Sequence, residues 1–150
     1  MTAPGYAIIA GVNKAGTSSL FVSLSTHPGI AASAIKETRY FLPARYGQPL
    51  EPASVWEGYF TGAPDDAVRL EATPSYLYGG AALAACIEER LPNSKVIVVL
   101  REPVARAISF FEYQKVRLRL RSDMPMSEYL AIADRMSAAD IVRNSAWEYP

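Results

Sequence analysis

The feature that most constrains this chain is a short apolar run that ends on a glycine loop and a helix start. Tyr6-Ala7-Ile8-Ile9-Ala10 is unbroken by charge, as a strand buried on both faces of a parallel sheet would be. It runs directly into Gly11-Val12-Asn13-Lys14-Ala15-Gly16-Thr17-Ser18. Leu20, Phe21 and Leu24 then recur at helical spacing, and His27-Pro28-Gly29 ends the helix. A strand, a tight glycine turn and a helix N-terminus bring several N–H groups and a partial positive charge to one point. That is the physical recipe for holding a phosphate. Lys14 adds a full charge, and Thr17 and Ser18 add hydroxyl donors. The same residues also fit a plain glycine turn with a solvated lysine. The order is not that of a Walker A loop, G-x-x-x-x-G-K-[ST]: Thr17 follows Gly16, and the lysine lies inside the loop. Arg101-Glu102-Pro103 stands where a Walker B aspartate would end the later strand, so the magnesium-binding half of an NTPase is not evident.

Strands and helices alternate along the rest of the chain. Ile30–Ile35 reads as a second strand and Val68–Glu71 as a third. Between them, residues 43–66 carry Pro43, Pro49, Pro52 and Pro64, which predicts a long irregular connection with a short helix around Val55–Phe60. Ala81–Arg90 is an Ala-rich helix stopped by Pro92. Lys95–Leu100, continuous and β-branched, is the strand expected at the centre of the sheet. Pro103 suits the first turn of a long helix to about Arg119, and Ser127 is placed to cap another to about Met136. The pattern predicts an α/β protein: a P-loop-like three-layer fold with a mainly parallel central sheet flanked by helices. The 150 residues read as one domain, the N-terminal part of a longer one, because Trp147–Pro150 supplies no terminating element.

Composition narrows the partners. A chain of this length buries roughly 68–70% of its unfolded surface, enough for a core without covalent staples. Fifteen basic side chains balance fifteen acidic ones, which argues against a general binder of nucleic acid or anionic membrane. One cysteine, Cys86, excludes an internal disulfide framework and favours a reducing compartment. With His27 the only histidine, too few ligands remain for a zinc site. No apolar window approaches the ~20 residues of a membrane helix, and no basic stretch precedes Tyr6 as in a signal peptide. The expectation is a cytoplasmic protein without membrane insertion.

Four segments, in this order, resemble the sulfotransferases that use 3′-phosphoadenosine 5′-phosphosulfate (PAPS), especially the heparan sulfate branch. Gly11–Leu20 is similar to the family's 5′-phosphosulfate loop. Lys36-Glu37-Thr38-Arg39-Tyr40-Phe41 resembles the segment that carries the catalytic carboxylate. Leu70-Glu71-Ala72-Thr73-Pro74-Ser75-Tyr76 resembles the segment lining the active site. Val99–Ser109 is similar to the Leu-Arg-Asp-Pro motif and following helix that bind the 3′-phosphate. The resemblance spans roughly residues 6–115 and implies a sulfotransferase moving a sulfuryl group from PAPS to a hydroxyl of a small-molecule, glycoside or carbohydrate acceptor. Adenosine 3′,5′-bisphosphate would be the product, and no metal is required. It implies donor contacts from Lys14, Ala15, Gly16, Thr17, Ser18, Arg101 and Ser109. Glu37 would be the general base and Lys14 the catalytic cation. Tyr40 and Phe41 are expected in the core, Thr73, Pro74 and Tyr76 in the pocket floor, and Glu71 beside basic neighbours.

The chain departs from the heparan pattern at two places. Ala72 stands where that pattern has lysine, and Ser18 where arginine is frequent. Both changes, with zero net charge, favour an acceptor smaller than a heavily sulfated polysaccharide. Three other readings stay open at this point: an incomplete sulfotransferase-like fragment without turnover, a P-loop kinase or NTPase with an aberrant loop, and a plain α/β binding module whose loops never meet a nucleotide. A local run, Lys115–Arg121, reads as the solvated basic face of a helix.

Overall fold

The structure, a computed structural model, describes residues 5–136. They fall into two compact units divided between Leu100 and Arg101. In the first unit, β1 (Tyr6–Gly11) is followed by α1 (Thr17–Ser25) and β2 (Ile30–Ala32). Then come α2 (Leu42–Arg45), α3 (Ala53–Gly58) and β3 (Val68–Ala72). A 3-10 turn (Pro74–Gly79), α4 (Gly80–Arg90) and β4 (Lys95–Val98) complete it. The four strands form a single parallel sheet in the order β2-β3-β1-β4. Parallel neighbours cannot be joined by a hairpin, and the connections between consecutive strands here carry the helices. The expected P-loop-like α/β architecture is what the chain adopts.

Strand alternation divides the core in two. Ile8 and Ala10 face an aromatic layer of Tyr40, Phe41, Trp56, Phe60 and Tyr76, with Leu83 and Ile87 from α4. Ile9, Leu70 and Ala72 face the other way, against Phe21 of α1. Tyr40 and Phe41 are therefore core residues, with ring centroids 5.0 Å apart, edge to face. Cys86 is half-buried against the same aromatic layer. His27 caps its own turn, its Nδ1 accepting from the Gly29 N–H at 3.1 Å.

Several expectations need correction. The Lys95–Leu100 strand is not central: among the described residues β4 pairs with β1 alone, and Val96 is 57% exposed. Apolar, β-branched continuity reports strand character, not rank in the sheet, and among the described residues crossover order puts β1 and β3 inside. The second strand stops at Ala32, because the Ala34 N–H leaves the ladder to bond the Tyr59 carbonyl at 2.8 Å. The short α2 and the 3-10 turn lie outside the alternating strand and helix pattern of the sequence; each carries a proline in its first turn.

The second unit contains α5 (Pro103–Val116) and α6 (Met126–Ala133), which close over Phe111, Leu120, Met124 and Tyr129. α5 ends before Arg119 because Leu118 turns left-handed at φ 55°. Pro125, in extended backbone, is the N-cap of α6, so Ser127 lies inside the first turn and does not cap it. The basic run is engaged locally: Lys115 sits 4.5 Å above the Phe111 ring, and Arg121 pairs with Asp123 and Glu128. Among the described residues, no helix is long and apolar enough to cross a membrane. The reading of Trp147–Pro150 falls outside the described residues.

Candidate active site

Ligands of parallel sheets collect beyond the C-terminal ends of the strands. In the first unit three loops meet there. Ile9 is in register with Ala72, so β1 and β3 end side by side. The Glu37 N–H donates to the Ala72 carbonyl at 2.9 Å, which ties the loop after β2 to the end of β3. Gly11 explains the third approach. A Cβ there would lie 2.9 Å from Leu77 Cβ and 3.3 Å from the Pro74 carbonyl oxygen. Its bare backbone lets the 3-10 turn pack directly on the phosphate-type loop, so Gly11 serves close approach.

Gly16 is the residue that uses left-handed freedom, at φ 98°, and Lys14 is left-handed too, at φ 65°. Asn13 and Ala15 are not, so the backbone sense alternates across the loop. Such alternation turns successive N–H groups toward one concave side and makes an anion nest. Gly16 is the N-cap of α1; it has no side chain to cap the helix, and the first turn holds no acidic residue. A Cβ on Gly16 would meet nothing within 4 Å. The helix's positive end thus faces an uncrowded glycine. Lys14 and Ala15 are half-buried, Thr17 buried and Ser18 exposed. These residues fit an anionic phosphate or phosphosulfate group.

Glu37 lies between two cations. Its Oε1 accepts from Lys36 Nζ at 2.8 Å and its Oε2 from the Arg39 guanidinium at 3.3 Å. Partial burial works to raise its pKa, but the Lys36 bond and charge, with smaller help from Arg39, outweigh it. The result lies below the usual 4.5. Glu37 is therefore an ionised carboxylate at neutral pH, which a proton acceptor must be.

Glu37 and Arg39 are both left-handed, at φ 63° and 58°. For residues with a Cβ this costs on the order of 1–3 kcal/mol each, so neighbouring structure must hold it. The holding residues were not assigned that role from sequence. Glu71, fully buried on β3, accepts through Oε1 from the Thr38 N–H at 3.2 Å, the Thr38 hydroxyl at 3.0 Å and the Thr73 hydroxyl. Thr73 in turn accepts from the Arg39 N–H at 3.2 Å, and the Tyr76 hydroxyl from the Phe41 N–H at 3.2 Å. Glu71 was expected to orient basic neighbours; its hydrogen bonds go instead to threonines. Thr73, Pro74 and Tyr76 are buried supports of the loop. A signal existed, a threonine in one segment and a carboxylate, a threonine and a tyrosine in the other, but only pairing of residues 33–35 positions apart gives it meaning.

Ala72, in the place of the heparan-type lysine, is fully buried with Ile9, Phe21 and Leu70. Arg101 and Ser109 belong to the second unit, Arg101 exposed and Ser109 half-buried within α5. The N-terminus of α5 is already taken: Glu102 accepts from the Val104 N–H at 2.9 Å and the Ala105 N–H at 2.6 Å. Among the described residues, no group of three or more His, Cys, Asp or Glu side chains is placed to hold a metal ion.

No protein-family model matches the chain. Individual relatives do. It is 34% identical to heparan sulfate glucosamine 3-O-sulfotransferase 3B1 of Homo sapiens over 129 residues, which is 86% of this chain and 31% of that protein. It is 32% identical to membrane-associated sulfotransferase kil1 of Dictyostelium discoideum over 81% of this chain and 25% of that protein. Among solved structures, a sulfotransferase from Alicyclobacillus acidocaldarius superposes with a TM-score of 0.76 at 27% identity, covering 99% of this chain and 63% of that one. The chain thus spans about a third or less of the curated relatives named here. Sequence and fold agree: the chain fits the sulfotransferase family, over part of that family's length.

Proposed function

We propose that this chain carries the donor loop and general base of an enzyme that moves a sulfuryl group from PAPS to an alcohol hydroxyl of a carbohydrate or glycoside. The observation that carries the reading is the pairing, at one sheet edge, of an alternating Lys14–Gly16 loop on an uncapped helix end with an ionised Glu37. The relatives' names add the carbohydrate: the human one acts on heparan sulfate glucosamine.

PAPS supplies the activated sulfuryl group, and its departing phosphate gathers negative charge. Lys14, the N–H groups of residues 14–18, and the Thr17 and Ser18 hydroxyls hold that phosphate and stabilise the growing charge. Glu37 takes the proton from the acceptor hydroxyl. Arg101 and Ser109 hold the 3′-phosphate. Most of the catalysis is positioning and electrostatics, as in the related phosphoryl transfers, and the scheme uses no metal. The lone Cys86 favours a reducing compartment, and a cytoplasmic site of action is part of the proposal.

Calorimetric titration of the full chain with adenosine 3′,5′-bisphosphate tests it, alongside transfer of labelled sulfate from PAPS to a panel of sugars and simple alcohols. Binding is expected on the order of micromolar, weakened about tenfold or more by Lys14→Ala, a change of about 1.4 kcal/mol. Absence of nucleotide binding overturns the reading. Binding without transfer leaves a nucleotide-binding fragment, and Lys14-dependent hydrolysis of magnesium-ATP would reassign the loop to an NTPase.

A further inference from the structure

The Lys36–Phe41 loop has almost no structure of its own, yet the N–H groups from Glu37 to Phe41 all have acceptors. The Glu37 N–H goes to the Ala72 carbonyl, Thr38 to Glu71 Oε1, Arg39 to Thr73 Oγ1 and Phe41 to the Tyr76 hydroxyl. The Tyr40 N–H reaches Thr38 Oγ1, more weakly, at 3.4 Å. Two of these acceptors, Thr38 Oγ1 and Thr73 Oγ1, donate their own protons to Glu71. One carboxylate oxygen is therefore the hub on which the loop's left-handed turns depend. We propose that Glu71 is the positioning residue for Glu37: its fully buried carboxyl clamps the loop so that the Glu37 carboxylate sits between Lys36 and Arg39.

A carboxyl is the right group for this task. Three donors converge on Oε1, more than a neutral hydroxyl oxygen accommodates well. Oε2 is buried without a hydrogen-bond partner, an expensive arrangement that a merely decorative side chain would not retain. Burial raises the Glu71 pKa, against the opposing hydrogen bonds of Thr73 and Thr38, so that Oε2 can carry a proton while Oε1 stays an acceptor. The titratable groups acting on this carboxyl are Lys36 from the loop and Tyr76 from the 3-10 turn; its register partner on β1 is the apolar Ile8. The catalytic meaning of the clamp rests on Glu37 being the base, but the clamp itself can be read without turnover.

The experiment is a carbon-13 NMR titration of the Glu37 carboxyl in the full chain, with thermal unfolding measured in parallel. Glu71→Gln keeps an acceptor oxygen at the hub, and the Glu37 midpoint is expected to stay as depressed as in the unaltered chain. Glu71→Val removes the hub, and the midpoint is expected to rise toward the ordinary carboxylate value as the cation pairs loosen. Loss of global stability alone would lower the unfolding temperature without moving that midpoint. If Glu71→Val does not fold, Thr73→Val and Thr38→Val each cut one branch of the network and should give a smaller rise. An unmoved midpoint in folded Glu71→Val, or in both threonine variants, overturns the clamp. A moved midpoint with normal sulfuryl transfer in Glu37→Gln keeps the clamp and defeats Glu37 as the base.

Discussion

Thr38 gives both its backbone N–H and its hydroxyl to the same oxygen of Glu71, 33 residues later, at 3.2 and 3.0 Å. That buried carboxyl also ties the fold to pH. Its pKa is pushed by burial from the ordinary 4.5 to about 7, so between these values the folded chain holds a proton that the unfolded chain has lost. The contribution is therefore full below pH 4.5 and is lost as pH rises through 7, a fall of roughly 3 kcal/mol at most. Urea unfolding at several pH values should show this slope in the unaltered chain and lose it in Glu71→Gln. Equal slopes in the two proteins would contradict the assignment.

Gly11 and Gly16 should fail in different ways. Gly11→Ala drives a Cβ to 2.9 Å from Leu77 Cβ, an atom no rotamer change can move. The expected cost is about 1–3 kcal/mol, and trimming the neighbour by Leu77→Ala should not rescue it, since that Cβ remains. Gly16→Ala meets no neighbour, and its cost of about 1–2 kcal/mol comes from the left-handed backbone alone. Chemical denaturation of the single and double variants separates steric from conformational loss.

Tyr76→Phe deletes the acceptor of the Phe41 N–H while leaving the aromatic layer nearly unchanged in volume. An unpaired buried N–H costs about 1–3 kcal/mol, and hydrogen exchange at the Phe41 amide should accelerate more than at β1 amides. Uniform acceleration would instead indicate general loosening.

Glu102→Ala uncaps α5. The hydrogen bonds from Ala105 and Val104 hold the Glu102 pKa below its usual value, so its support is present at neutral pH and disappears as pH falls through that lowered value. Protection of the Val104 and Ala105 amides should drop in Glu102→Ala at pH 7, and in the unaltered chain only in acid. If protection at pH 7 is the same in both, the cap contributes nothing.

The strand-loop-helix start, the alternation of strands and helices, and Lys14 and Glu37 as chemical candidates were all legible in the residues themselves. Each depends on local pattern: apolar continuity, glycine placement, and a charged side chain next to a strand end. The outer position of β4 among the described strands and the service of Glu71 to Thr38 were not, because strand rank and a bond between residues 33 apart are set by crossovers that no local window contains. Likewise the left-handed turns at Glu37 and Arg39 leave no mark in a Lys-Glu-Thr-Arg string. They exist because a distant threonine, the Ala72 carbonyl and a buried carboxyl supply the hydrogen bonds that offset their strain. Local chemistry named the actors; only tertiary contacts, which repay the entropy of ordering a loop, decided where that loop would hold them.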